Sequence, residues 1–229
     1  MSANARYENI AQASGRMGAS LGQFLRKQGM AVVDIRAIST VIGADALKHV
    51  WQQASGGQAE QNITEPYVIV EYDKYSRLHL AIRELYGPAS HGILNRIGRL
   101  TFRHFLEEQA GQMSAVGIAL RLMPLRAREI FILRVIAYSL SESSHQETVC
   151  LQEDDGLLNL IDMDSPACYG ISSDEPVCWH TVGFIEEALR WATSQEFKVE
   201  EVSCQAQGRP VCVFAVASEP NQLLYLNWR

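Results

Sequence analysis

The stretch that decides the fold lies near the C-terminus, at residues 198–216, which read KVEEVSCQAQGRPVCVFAV. Residues 198–204 and 211–216 are rich in the β-branched and aromatic side chains that favour strands. Between them lies a short turn centred on Gly208, a residue type that tight turns favour. We therefore expect an antiparallel hairpin, with a β-bulge near Glu201, where the apolar positions change phase.

Upstream of this hairpin the sequence alternates between helix and strand patterns. Apolar residues at three- and four-residue steps predict helices over 10–28, 44–54, 91–109 and 124–141, and Pro176 predicts another that runs to about residue 193. Shorter stretches predict strands over 68–72, 148–151 and 157–161. This order predicts an α+β fold in which an antiparallel sheet packs with helices. We expect a helical extension over 1–62, a ligand-binding domain over 63–218 and a tail over 219–229.

The composition argues against several classes of protein. The net charge of −6 and the pI near 5.5 argue against a nucleic-acid partner. No stretch reaches the roughly 18 apolar residues of a membrane span, and residues 1–22 lack the apolar core of a signal peptide, so we expect a cytoplasmic location. There the five cysteines would stay reduced. Metal binding, catalysis and core packing are therefore favoured over disulfides.

Four residues around the hairpin could hold a metal ion. Cys204 and Cys212 lie at equal distances from the turn, so pairing of the strands would bring their Cβ atoms to about 5 Å. Cys178 opens a predicted helix, where backbone N–H groups favour a thiolate, and the bulge would turn Glu201 toward the same side. Three thiolates and a carboxylate suit zinc. Two alternatives stay open: His180 could replace Glu201, and the cysteines could be small buried hydrophobes.

The spacing of these residues resembles a known family. Cys-Trp-x3-Gly-Phe at 178–184, followed by Glu-x2-Cys-x3-Gly-x3-Cys-x-Phe at 201–214, is similar to the C-terminal signature of the 4-vinyl-reductase domain family. That family includes a protein of bacteriochlorophyll synthesis and the zinc-containing sensor domains of aromatic-responsive activators. The resemblance extends more weakly to the helix at 87–106. It implies a structural zinc held by all four residues, a fold related to TRAPP subunits, and a homodimer.

The resemblance also implies a ligand. The sensors of this family hold an aromatic molecule in a largely apolar pocket near the zinc-supported lobe, so we expect a hydrophobic, aromatic or tetrapyrrole ligand here. The expected lining consists of aromatic side chains and of two arginines able to meet a carboxylate: Phe102, Phe105, Phe131, Tyr138, Trp179, Phe184, Arg99 and Arg103. Core packing of the aromatics and surface ion pairs of the arginines are open alternatives. His91 and His104 could instead bind a macrocycle's metal.

Three functions are compatible with these features. The first is a sensor or carrier of a hydrophobic small molecule, with a separate protein supplying the output. The second is an enzyme or accessory factor of bacteriochlorophyll synthesis that reduces the 4-vinyl group of a chlorophyllide precursor. Against the second, we find no catalytic motif and no nicotinamide or flavin site. The third is a scaffold that dimerises through its helices and binds no small molecule.

Overall fold

A computed structural model describes residues 26–27, 30–57, 63, 65–142, 149–154 and 157–217. The strands in these ranges are β1 Arg26–Lys27, β2 Met30–Asp34, β3 Tyr67–Glu71, β4 Val149–Asp154, β5 Leu157–Asp162, β6 Val199–Ser203 and β7 Cys212–Val216. The α-helices are α1 Ile35–Ile42, α2 Ala44–Ala54, α3 Tyr72–Tyr86, α4 Ser90–Glu108, α5 Ala110–Arg121, α6 Leu125–Glu142 and α7 Trp179–Thr193. Helices surround two antiparallel sheets, which confirms the predicted α+β class.

The second sheet contains the predicted hairpin. Its strand order is β4-β5-β7-β6, and every neighbouring pair is antiparallel. β6 and β7 confirm the hairpin, and their register shifts between Glu201 and Ser203, which confirms the bulge. Along β5, buried and partly exposed residues alternate, with Leu158 and Leu160 in the core. This alternation places one face of the sheet against the helices.

The first sheet joins two parts of the chain that the sequence separates. β2 pairs antiparallel with β3, so a strand before the predicted division at residue 62 lies beside a strand after it. Helix α1 follows β2 directly because the Asp34 carboxylate caps it, accepting a hydrogen bond from the Ala37 N–H at 3.0 Å. The sequence patterns missed both β2 and α1. The predicted helix over 10–28 lies outside the described residues except for 26–27, which form β1.

The remaining helices are partly as predicted. α2, α4 and α6 confirm the helices expected over 44–54, 91–109 and 124–141, whereas α3 and α5 were missed. The last helix begins at Trp179 and not at Pro176, because Cys178 is its N-cap residue. The backbone N–H of Cys178 bonds to the Glu201 carboxylate instead of to the helix.

The core is centred on the contact between α4 and α7. α7 also packs against α6 and β6, while α4 contacts α1 and α3. α3 in turn lies against a short 3-10 helix, Pro166–Cys168, which precedes α7. Among the described residues, each helix is too short or too polar to cross a lipid bilayer. These contacts bring the N-terminal end of α7, the hairpin and the 3-10 helix together.

Candidate functional site

Four cysteine sulfurs and one carboxylate meet in a buried cluster, formed by Cys168, Cys178, Glu201, Cys204 and Cys212. One ligand atom from each of the five residues lies within 4.8 Å of all the others. The Cys168 sulfur lies 3.3 Å from that of Cys178 and 3.5 Å from those of Cys204 and Cys212. Zinc–sulfur bonds of about 2.3 Å place the corners of a ZnS4 tetrahedron about 3.8 Å apart. The cluster therefore has the size of a zinc–thiolate site.

Each sulfur of the cluster is positioned by the end of a secondary-structure element. Cys168 ends the 3-10 helix, Cys178 caps α7, Cys204 follows β6 and Cys212 opens β7. Gly208 adopts a left-handed conformation, φ 78°, which completes the turn that brings the last two together. The backbone N–H of Gln205 donates to the Cys212 sulfur at 3.3 Å. Such a hydrogen bond would stabilise a thiolate there.

Glu201 enters the cluster from the bulge in β6. Its Oε2 accepts a hydrogen bond from the Cys178 N–H at 2.8 Å, whereas its Oε1 has no hydrogen-bond partner among the described residues. Burial, followed by the nearby charge of Cys204, raises the pKa of Glu201 to about 8. The carboxyl group therefore has two possible roles: it can bind the metal through Oε1, or it can anchor the start of α7.

Cys168 is the member of the cluster that the sequence analysis missed. It lies ten residues before Cys178, outside the hairpin and outside the family signature on which the four-residue set was based. Hydrogen bonds from Cys178, Cys204 and Cys212, in that order of importance, lower the pKa of Cys168 despite its burial. The five cysteines and the Ser-Pro-Ala-Cys turn were the available signals in the sequence, but neither indicates a distance between side chains.

The aromatic residues predicted to line a pocket lie in different environments. Phe102, Phe105, Phe131 and Phe184 are buried in the core, where the rings of Phe102 and Phe184 meet edge to face at 5.2 Å. The Trp179 ring is stacked on His91 at 4.4 Å. Tyr138 on α6 is 43% exposed. The structure thus brings Phe102 and Phe184 together but does not gather all six residues around one space.

The two predicted arginines bind glutamates of α7. Arg99 lies 2.8 Å from Glu186, and Arg103 lies 2.7 Å from the fully buried Glu187. Burial alone would raise the pKa of Glu187, but hydrogen bonds from Arg190 and Arg103 lower it to about 2. Both arginines therefore join α4 to α7 through ion pairs.

The histidines considered as macrocycle ligands also have protein partners. His91 contacts Glu175 at 3.3 Å besides its stacking on Trp179. His104 Nδ1 lies 2.6 Å from Asp34, the residue that caps α1. Each ring is therefore held by a carboxylate in this structure.

A cavity of about 40 Å³ lies a short distance from the metal cluster. Its wall is mostly apolar and comes from β2, α3, α6, α7 and the turn before α7: Ala31, Val32, Tyr75, Ile136, Leu140, Pro166, His180, Thr181 and Phe184. On the far side of Tyr75 and His180 is a second cavity of about 10 Å³, lined also by His79. A mostly apolar wall with a few polar groups is typical of small-molecule sites.

The family comparison covers the part of the chain that contains the metal cluster. Residues 163–218 match the model of the 4-vinyl-reductase (4VR) domain. This match confirms the predicted resemblance to 4-vinyl-reductase-type domains over that stretch, and it includes Cys168 as well as the four predicted ligands. An uncharacterized protein of Methanocaldococcus jannaschii is 37% identical over 59 residues, which are 25% of this chain and 26% of the relative. The chain therefore matches about a quarter of that relative's length.

Solved structures show where the fold of the whole chain occurs elsewhere. An H-NOX protein from S. oneidensis in the Fe(II)NO ligation state superposes with a TM-score of 0.50 at 10% identity, over 79% of this chain and 92% of that one. A mutant H-NOX from T. tengcongensis gives 0.51 at 15%, over 80% and 91%. An unliganded Fe(II) H-NOX mutant from K. algicida gives 0.50 at 10%, over 90% and 98%. At these identities the similarity shows a shared fold.

Proposed function

We propose that this chain is a small-molecule-binding domain, a sensor or carrier, whose C-terminal lobe is held together by a structural zinc ion. The observation that carries the proposal is the buried set of four sulfurs at 3.3–3.8 Å from one another where pairs are in hydrogen-bond contact. Thiolates select zinc over magnesium or calcium, which prefer oxygen ligands.

The metal is proposed to be structural because the protein itself can fill the coordination sphere. Catalytic zinc sites keep one position for water, whereas structural sites are closed by four protein ligands. Here the cysteines come from the 3-10 helix, the start of α7 and both strands of the hairpin, so one ion would link three parts of the lobe. We propose Cys168, Cys178, Cys204 and Cys212 as the ligands, with Glu201 anchoring the Cys178 backbone.

The proposal of a small-molecule ligand has separate support. H-NOX proteins with this fold hold Fe(II) centres, in one case with NO bound, and the cavity beside α7 has an apolar wall with polar groups. Its volume of about 40 Å³ is small beside the roughly 300–1,000 Å³ of pockets for drug-sized molecules. The cavity as it stands therefore favours a ligand of a few heavy atoms over a tetrapyrrole. The homodimer and the separate output protein stay predictions.

The metal part of the proposal can be tested by elemental analysis of the purified full-length protein. We expect about one zinc per chain in the wild type and in the Glu201→Gln variant, and substantial loss in Cys168→Ser. Glu200→Gln, which changes the exposed neighbour of Glu201, serves as the matched control. In Co(II)-substituted protein, the sulfur-to-cobalt charge-transfer absorbance should be that of four thiolates.

Two outcomes would change the assignment. If Cys168→Ser keeps its zinc while Glu201→Gln loses it, the ligands are the three cysteines and the carboxylate that the sequence predicted. If the wild type binds no metal, the structural-zinc proposal fails. The small-molecule proposal is tested independently, by native mass spectrometry of the purified protein before and after denaturing extraction.

A further inference from the structure

A chain of hydrogen bonds runs from α4 through His180 to Tyr75 at the wall of the cavity. The Thr101 hydroxyl donates to the Ile97 carbonyl at 3.0 Å. Thr101 Oγ1 also lies 3.3 Å from His180 Nε2, and His180 Nδ1 lies 3.4 Å from the Tyr75 hydroxyl. These contacts fix the direction of each proton, because a hydroxyl has a single hydrogen to donate.

The directions follow from Thr101 outward. Since the Thr101 proton is committed to the Ile97 carbonyl, its oxygen can only accept from His180, so His180 Nε2 carries a hydrogen. A neutral imidazole then has Nδ1 as an acceptor, and Tyr75 donates its proton to it. The Tyr75 oxygen keeps its lone pairs, so at the cavity it is an acceptor. A molecule bound beside it must supply a donor.

The other groups around this chain are short of hydrogen-bond partners or apolar. His79 is 5% exposed, its ring is 5.6 Å from that of His180, and its Nδ1 has no hydrogen-bond partner among the described residues. The cavity wall opposite Tyr75 is formed by side chains such as Ile136, Leu140 and Phe184. A charged molecule would lose its hydration there without gaining an ion pair. The occupant must therefore be uncharged.

The volume limits the size of the occupant. A water molecule needs roughly 10–15 Å³ of such space, so 40 Å³ admits about three or four heavy atoms. Val32, His180 and Thr181 in the wall are partly exposed, which provides a route from solvent. Size, polarity and access all favour one class of compound.

We propose that the cavity between β2, α3, α6 and α7 binds a small uncharged molecule with a hydroxyl-type donor, which donates to the Tyr75 oxygen while its apolar part contacts α6 and Phe184. This site deepens the proposed small-molecule function, on which it rests, by giving the ligand a place and a chemistry. It also connects the ligand to the metal cluster, because His180 lies two residues after Cys178 at the start of α7.

The test uses a matched pair of probes, 2-propanol and acetone, which have the same heavy-atom skeleton but differ in the donor. Each is titrated into the full-length, metal-loaded protein and followed by ¹H–¹⁵N spectra. We expect saturable shifts around Tyr75, Ile136 and Thr181, with acetone binding about fivefold or more weakly than 2-propanol. Tyr75→Phe should weaken 2-propanol to the affinity of acetone.

A second variant tests the space and not the polar group. Ala31→Val adds two methyl groups to the cavity wall and suits a strand position, so we expect it to abolish binding of both probes in a folded protein. Gly92→Ala, on the exposed surface of α4, should bind like the wild type. Dispersed spectra show that each variant is folded.

Three results would overturn this site. They are the absence of saturable binding of 2-propanol, equal affinity for acetone, or binding unaffected by Ala31→Val and Tyr75→Phe. A co-purified small molecule whose retention is insensitive to both variants would also overturn the site, yet leave the proposed small-molecule function intact. Only the failure to find any bound small molecule by mass spectrometry, together with the absence of probe binding, counts against both.

Discussion

Gly98 on α4 and Gly183 on α7 lie against each other's helix backbones at a distance that admits no side chain. A Cβ atom at Gly98 would lie 1.9 Å from the carbonyl oxygen of His180, and one at Gly183 would lie 2.0 Å from that of Asn95. Both obstacles are backbone atoms inside helices, so neither can move without its helix. The pair of glycines therefore sets how closely α4 and α7 approach, and with it the position of His180.

Adding one methyl group at this contact should separate the helices. We expect Gly98→Ala and Gly183→Ala each to lower the free energy of unfolding by about 2–3 kcal/mol, since overpacking against immobile atoms strains the core. Gly92→Ala on the same helix, with no atom within 4 Å of the added carbon, should raise it by up to about 1 kcal/mol, through helix propensity. Urea denaturation measures all three. Unchanged stability in Gly98→Ala would contradict the close contact.

The ion pairs beside this contact should also stabilise it. Glu187 is fully buried and is bonded by Arg103 and Arg190. Glu187→Gln removes the charge and leaves the arginines with weaker acceptors, so we expect a loss of about 1–3 kcal/mol in the free energy of unfolding. Glu200→Gln, in an exposed pair with Lys198, should cost less than about 0.5 kcal/mol. Equal effects in the two variants would show that the buried network contributes no more than a surface pair.

Removal of the metal should destabilise the C-terminal lobe. Without an ion, four buried sulfurs and a carboxylate with a raised pKa face one another, and the links between the 3-10 helix, α7 and the hairpin are lost. We expect a chelator to lower Tm by about 10 °C or more, and Zn²⁺ but not Mg²⁺ to restore it. Scanning calorimetry before and after dialysis provides the measurement. A Tm that is insensitive to chelation of an initially zinc-loaded sample would argue against a structural role.

Acid should destabilise the fold through His79. Burial, followed by the charges of His180 and Arg83, lowers the pKa of His79 well below its ordinary value, whereas the unfolded chain binds that proton near pH 6.5. As the pH falls below about 6.5, the unfolded state gains the proton and the folded state does not, so stability falls by up to about 1.4 kcal/mol per pH unit. The loss ends only at the lowered pKa of the folded protein.

His79→Gln removes this proton from both states. Between pH 7.5 and 5.5 the variant should therefore gain about 1 kcal/mol of stability relative to the wild type. Denaturation curves recorded at several pH values for both proteins provide the comparison, and other titrating groups cancel in the difference. Curves that stay parallel would mean that His79 takes up its proton equally well in the folded protein.

How far the fold could be predicted depended on the range of the interactions. The hairpin and its bulge were predictable because the alternation in β6, the turn at Gly208 and the alternation in β7 are neighbours in the chain. α4 and α6 were predictable from the helical repeat. α3 was missed although it is a helix of ordinary length, because a strand pattern runs directly into its first residue, Tyr72.

The candidate metal site divides along the same line. By itself the sequence determined that Cys178, Glu201, Cys204 and Cys212 belong together, since their spacing is that of a local motif and its resemblance to a family covers them. Only the tertiary structure decided that Cys168 belongs with them, because its distance from the other sulfurs depends on how α3 packs against the 3-10 helix. The cavity is likewise a product of packing alone. Tyr75 and His180 are 105 residues apart, and no local pattern records a contact between two side chains on different helices.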